Sequence, residues 1–267
     1  MTIAGVLLDL AGVVYQGGKL LPGAREAIER LRAAGLPIRF ITNTTRSPKK
    51  IILADLKTLG LEISDDELFT PAQAARAWLT AHGCAASLLV HPALESEFTG
   101  LPHADQRAVV VGDAGEAFSY DRLNRVFREL IAGAPLLALA KNRTFKDHDG
   151  ELSLDAGAFV KALEFATGHK AIVLGKPSPD FFGAALAGMS CMHDQAVMVG
   201  DDAEADVAGA LSAGLASALL VRSGKYRAGD EERYEPRPTR TVADLSAAAD
   251  WICAHRTQDH GTRIPLF

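Results

Sequence analysis

Val6-Leu7-Leu8-Asp9-Leu10-Ala11-Gly12-Val13 joins a short apolar run to a carboxylate and then to small residues. Such a run reads as a buried strand ending at Asp9, and open α/β folds gather their chemistry at the carboxyl ends of strands. Working outward, residues 24–34 place Ala24, Ala27, Ile28 and Leu31 at the spacing of one helix face, and Gly35 closes that helix. Residues 37–42 read as the next strand. Ser47-Pro48 reads as an N-cap followed by proline at the first helical position, opening a helix through Leu59 that Gly60 ends. This βαβα order predicts an α/β fold, a doubly wound parallel sheet covered by helices on both faces.

The middle of the chain begins the pattern again. A helix over 72–82 leads to strands at 87–90 and 108–111, a helix over 120–131 and a strand at 136–140. Residues 142–150 are polar and turn-rich, and 156–167 read as a helix. We assign 73–171 to an inserted second α/β domain, between core segments 1–72 and 172–254. The polar tail at 255–267 is expected to be poorly ordered. The core pattern resumes with a strand at 172–174, then Gly175-Lys176-Pro177 and a helix over 180–187. A strand at 196–199 ends at Gly200-Asp201-Asp202, a helix over 205–213 stops at Gly214, and 217–221 forms a further strand.

Bulk composition narrows the function classes. The 267 residues are 48% hydrophobic, which suits a globular protein with a substantial core. A net charge of -5 argues against nucleic acid or anionic membranes as main partners. The longest apolar runs, such as 134–140, are far short of a membrane-spanning helix of about 18 residues. No basic region precedes an apolar segment at the start, so no signal peptide is expected. Cys84, Cys191 and Cys253 are odd in number and far apart, the pattern of reduced thiols in a cytoplasmic protein. The histidines are scattered and lack the spacing of a helical metal site.

Four segments fall at predicted strand ends: Asp9, then Thr42-Asn43, then Lys176, then Asp201-Asp202 with Asp206 beyond. A doubly wound sheet gathers such ends in one crevice. Singly each is weak, since a loop lysine, a turn threonine or a first-turn helix acid is common. In order and spacing, the four together resemble the motifs of the haloacid dehalogenase superfamily. That resemblance implies that Asp9 attacks phosphorus and forms an aspartyl-phosphate, which water then hydrolyses. A carboxylate and a phosphate repel, so Mg²⁺ held by Asp9, Asp201 and the backbone carbonyl of position 11 is implied, with Asp202 and Asp206 around those ligands. Lys176 adds fixed positive charge, and Thr42 and Asn43 bind the phosphoryl oxygens.

The large insertion lies between Thr42 and Lys176 and alternates strands with helices, which resembles class IIA of that superfamily, the subgroup with a large α/β cap. Leu21-Pro22-Gly23-Ala24, Phe40-Ile41-Thr42-Asn43-Thr44-Thr45 and Val221-Arg222-Ser223-Gly224-Lys225-Tyr226 resemble it too. Within it, the likeness is to the branch of phospholysine/phosphohistidine/inorganic pyrophosphate phosphatases and their haloacid-dehalogenase-like relatives. The resemblance implies a small phosphorylated substrate or phosphoamino acid, and caps of this kind often mediate homodimers.

One position departs from the family. Most phosphatases of the superfamily carry a general-acid Asp two residues after the nucleophile; here it is Ala11, and the branch itself has Ser there. General acid–base catalysis is worth about 10²–10⁴-fold, roughly 3–5 kcal/mol. Alkyl phosphates should feel its loss most, and P–N bonds, pyrophosphate and aryl phosphates least. Three readings stand: a slow Mg²⁺-dependent phosphatase for activated phosphoryl groups, a phosphate-ligand-binding homologue with negligible turnover, and carbon–phosphorus hydrolysis. The third needs a Schiff-base lysine in a small cap of another type, which this chain lacks. Among polar residues beyond the motifs, Asp113, Asn142, Arg143 and Asp155 are cleft candidates or solvated surface, and Arg46 and Lys225 are substrate contacts or surface ion pairs.

Overall fold

A computed structural model describes residues 2–146 and 151–256. The chain divides into two compact units, Met1–Ile38 with Gly188–Phe267, and Arg39–Ala187.

In the first unit, strand Gly5–Asp9 runs parallel to Ala196–Gly200, which pairs with Ser217–Val221, itself paired with Arg240–Val242. The first three strands are buried along their whole length, as expected of parallel strands covered on both faces. Helix Ala24–Ala33 buries Ala24, Ala27, Ile28 and Leu31, the face that its periodicity predicts, and lies against helix Leu245–His255. Val6 donates its N–H to the Pro37 carbonyl at 3.0 Å, so the chain leaves this unit alongside its first strand.

The second unit holds a four-stranded parallel sheet in the order Ile172–Val173, Leu136–Ala138, Gln106–Val111, Cys84–Leu89. Helices Tyr120–Ile131 and Ala156–Thr167 enclose with it a core that includes Leu89, Val109, Val111, Val126, Leu130 and Val160. Phe40 and Ile41 pair in parallel with Leu68 and Phe69. The expected α/β architecture of parallel sheets with helices is thus present.

Three local readings change. Pro48 is not the first helical residue: its backbone is extended (ψ 152°), the helix is Lys49–Thr58, and its first N–H is taken by the Glu97 carboxylate at 3.0 Å. A distant side chain caps this helix, so the local Ser-Pro signal misplaced its start. The helix expected over 205–213 begins earlier, as a π-helical Ala203–Ala208 that continues as Gly209–Ser212. The turn-rich stretch after Asn142 contains a strand, Thr144–Lys146, antiparallel to Leu152–Leu154. Residues 147–150, and the tail expectation for 257–267, lie outside the described residues. Among those described, no helix is long and apolar enough to cross a membrane.

Candidate active site

Strand geometry delivers two acids side by side in the first unit. Asp9 ends Gly5–Asp9 and Asp201 follows Ala196–Gly200, a strand hydrogen-bonded directly to it. Asp206 joins them from the π-helical turn, and ligand oxygens of all three lie within 4.8 Å of one another. All three are buried, at 6%, 2% and 1% exposure. Asp202 starts that turn: its carboxylate accepts the N–H groups of Glu204 and Ala205, at 3.1 and 2.9 Å, while its own N–H donates to Asp206 at 3.2 Å. Lys225 pairs with Asp202 at 3.1 Å.

Burial, and then the charges of Asp9 and Asp206, push the Asp201 carboxyl up to about 8, against the opposing pull of the Lys225 N–H and ammonium. Asp9, Asp201 and Asp206 thus gather buried carboxylate oxygens at one place. A hard cation that prefers oxygen ligands fits that donor set. Ala11 is exposed and pairs with Tyr15 in an isolated bridge, and its methyl group offers no proton.

In the second unit Asn43 and Lys176 meet, and Thr42 precedes Asn43 in the chain. Thr42 is buried, and its Oγ1 accepts the Thr44 N–H and donates to Thr44 Oγ1, both at 3.0 Å. The Asn43 side chain binds both the N–H and the carbonyl of Lys176, at 2.8 and 2.9 Å, and reaches Asn142 Oδ1 at 3.5 Å. Lys176 is itself 4% exposed.

Two of the polar candidates prove to be internal fastenings. Asp113 is buried, paired with Arg46, and donates its N–H to Thr45 Oγ1 at 2.9 Å, while Arg46 lies over the Phe145 ring at 4.5 Å. Asp155 is buried and caps helix Ala156–Thr167. Sequence reasoning attached no role to Ser223, whose hydroxyl reaches the Gly12 carbonyl across 211 positions. The only signal was that 221–226 looked motif-like, since nothing local announces so distant a partner.

A family model described as haloacid dehalogenase-like hydrolase matches residues 6–116, and a second, HAD-hydrolase-like, matches 173–248. The chain is 46% identical over 253 residues to haloacid dehalogenase-like hydrolase domain-containing protein 2 of Mus musculus, covering 95% of this chain and 97% of the relative. It is 40% identical over 259 residues to the phospholysine phosphohistidine inorganic pyrophosphate phosphatase of Rattus norvegicus, covering 95% of each. Among solved structures, a glycerol phosphate phosphatase from Mycobacterium tuberculosis in complex with magnesium superposes with a TM-score of 0.81 at 29% identity, over 92% of this chain and 76% of that one. The chain therefore belongs to the haloacid dehalogenase-like hydrolases, in class IIA of that superfamily.

Proposed function

We propose that this hydrolase is a Mg²⁺-dependent phosphatase that acts on activated phosphoryl groups: phosphoamides, pyrophosphate or aryl phosphates. The observation that carries the reading is the buried cluster of Asp9, Asp201 and Asp206, a nucleophile candidate set among carboxylates suited to a divalent cation. The named activities of the rat and mycobacterial relatives support the phosphoryl chemistry, and the magnesium in the mycobacterial structure supports the choice of ion.

In this reading Asp9 and Asp201, with the Ala11 carbonyl, hold Mg²⁺, which when bound supplies positive charge against the phosphoryl oxygens. The Asp9 carboxylate attacks phosphorus; the P–O or P–N bond to the leaving group breaks, and the leaving group departs with the electron pair. Water then cleaves the aspartyl-phosphate and regenerates Asp9. Thr42, Asn43 and Lys176 bind the transferred group, with Lys176 set by its two backbone hydrogen bonds with the Asn43 side chain, one donated and one accepted. Asp202 and Asp206 support the ligands. Ala11 has no proton to give, so the leaving group must depart without an enzyme acid. The insertion over 73–171 is, on the same proposal, the cap that selects substrate.

Ala11 also favours a second reading, a homologue that binds phosphorylated ligands with negligible turnover. The test is phosphate release from nitrophenyl phosphate, pyrophosphate, phosphohistidine and a sugar phosphate, with and without Mg²⁺, in wild type and Asp9→Asn. Mg²⁺-dependent release from the first three that Asp9→Asn abolishes is the expected result. Release that survives Asp9→Asn removes the nucleophile assignment, and Mg²⁺ binding without release from any compound selects the second reading.

A further inference from the structure

The Asp201 carboxylate is enclosed by two loops that arrive from opposite ends of the first unit's sequence. After strand Ser217–Val221, the chain turns through Ser223, Gly224 and Lys225, closed by a Tyr226 N–H to Ser223 carbonyl bond of 3.2 Å. The Lys225 backbone N–H donates to Asp201 Oδ2 at 2.7 Å, and the Ser223 hydroxyl donates to the Gly12 carbonyl at 2.5 Å. Gly12 follows Ala11 directly, and its own N–H donates to the Tyr15 carbonyl at 2.7 Å.

Space is as restricted as the hydrogen bonding. Gly12 and Gly224 both have positive φ, 88° and 60°, where side chains other than glycine are strained. A Cβ on Gly12 would stand 2.0 Å from Asp201 Oδ2 and 2.9 Å from the Gly224 Cα. A Cβ on Gly224 would stand 1.9 Å from the same oxygen and 2.6 Å from the Gly12 Cα. One carboxylate oxygen is thus walled in by two α-carbons and fixed by one amide.

We propose that the Ser223–Gly224–Lys225 turn is a positioning device for the cation site, holding the Asp201 carboxylate directly and, through the Gly12 carbonyl, the backbone that follows Ala11, in the arrangement that would receive Mg²⁺. The inference rests on the metal reading above. The ligand oxygens of Asp9, Asp201 and Asp206 lie within 4.8 Å of one another, so the orientation of each carboxyl group sets how well the three together meet one ion. Groups that orient metal ligands in this way are worth about 10–100-fold in metal affinity. Ser223 and Gly224 are positioning residues, since they touch neither substrate nor cation in the proposed reaction.

The experiment is Mg²⁺ titration of the full chain by calorimetry and thermal shift, with Asp201→Asn, Ser223→Ala, Ser223→Thr and Gly224→Ala. Ser223→Ala is expected to weaken Mg²⁺ binding about tenfold, to raise the KM for Mg²⁺ in step while sparing kcat at saturating Mg²⁺, and to recover in Ser223→Thr, which keeps the hydroxyl. Gly224→Ala is expected to lose the Mg²⁺ response; if it fails to fold, Ser223 decides. A Ser223→Ala protein that melts earlier yet binds Mg²⁺ as wild type does overturns the proposal and leaves the metal reading intact. A wild type with no Mg²⁺ response sensitive to Asp201→Asn overturns the metal reading, and this inference with it.

Discussion

Asn43 grips Lys176 by both faces of one residue's backbone: its side-chain oxygen accepts the Lys176 N–H at 2.8 Å, and its side-chain nitrogen donates to the Lys176 carbonyl at 2.9 Å. The two residues are 133 positions apart, so this pair ties the loop after Ile38–Ile41 to the turn that carries the lysine. Asn43 therefore acts both as a candidate phosphate ligand and as the holder of another one.

Asn43→Ala removes both bonds, each worth about 1 kcal/mol. The kcat/KM for nitrophenyl phosphate should fall about 10–100-fold. Asn43→Asp keeps the acceptor but sets a carboxylate oxygen against the Lys176 carbonyl, and should be at least as damaging. Steady-state kinetics of the two variants checks this, and wild-type values for either would remove the role.

Asp201 should make stability depend on pH and on metal. Its carboxyl is raised to about 8 in the folded chain, whereas an unfolded chain releases that proton near 4. The folded state thus holds a proton that the unfolded state gives up, so the stabilisation is full below about pH 4 and is lost as the pH rises toward 8. In EDTA the melting temperature of wild type should fall relative to Asp201→Asn across that window. On the proposed metal reading, Mg²⁺ would take the proton's place and reverse the fall. Parallel pH profiles for the two proteins would contradict it.

Ala11→Asp should restore a general acid. Turnover of an alkyl phosphate such as a sugar phosphate should rise by about 10²-fold or more, while nitrophenyl phosphate, whose leaving group needs little help, should gain far less. The ratio of the two rates is the measurement. An equal gain on both substrates would show that leaving-group protonation is not what Ala11 limits.

Glu164 should show the opposite pH sign from Asp201. Burial alone would raise its pKa, but the Ala171 N–H with Lys141 and Lys161 hold it at about 2, below its usual 4.5. Its stabilisation is present above about 4.5 and is lost as the pH falls toward 2. Glu164→Gln should lower stability by about 1–3 kcal/mol at pH 7, by stranding the buried side of Lys141. The deficit should shrink below about pH 4.5 and be gone only at about pH 2. Urea unfolding at neutral pH and at about pH 2 tests it.

What the chain's own sequence determined was the local and ordered part. Apolar runs of four or five residues placed the strands that end at Asp9 and before Asp201, and the period of Ala24, Ala27, Ile28 and Leu31 placed a helix face, because burial acts on whichever side of an element is apolar. The order of Asp9, Thr42, Lys176 and Asp201 was equally plain, since motif order is a property of the chain itself. The tertiary structure alone decided what meets what. It gave Lys49 its cap from Glu97, paired buried Asp113 with Arg46, and brought Ser223 to Gly12. Each of these is a contact between residues far apart along the chain. Its energy comes from desolvation and hydrogen bonding that exist only once the strands are aligned, so no local pattern of residues announces it.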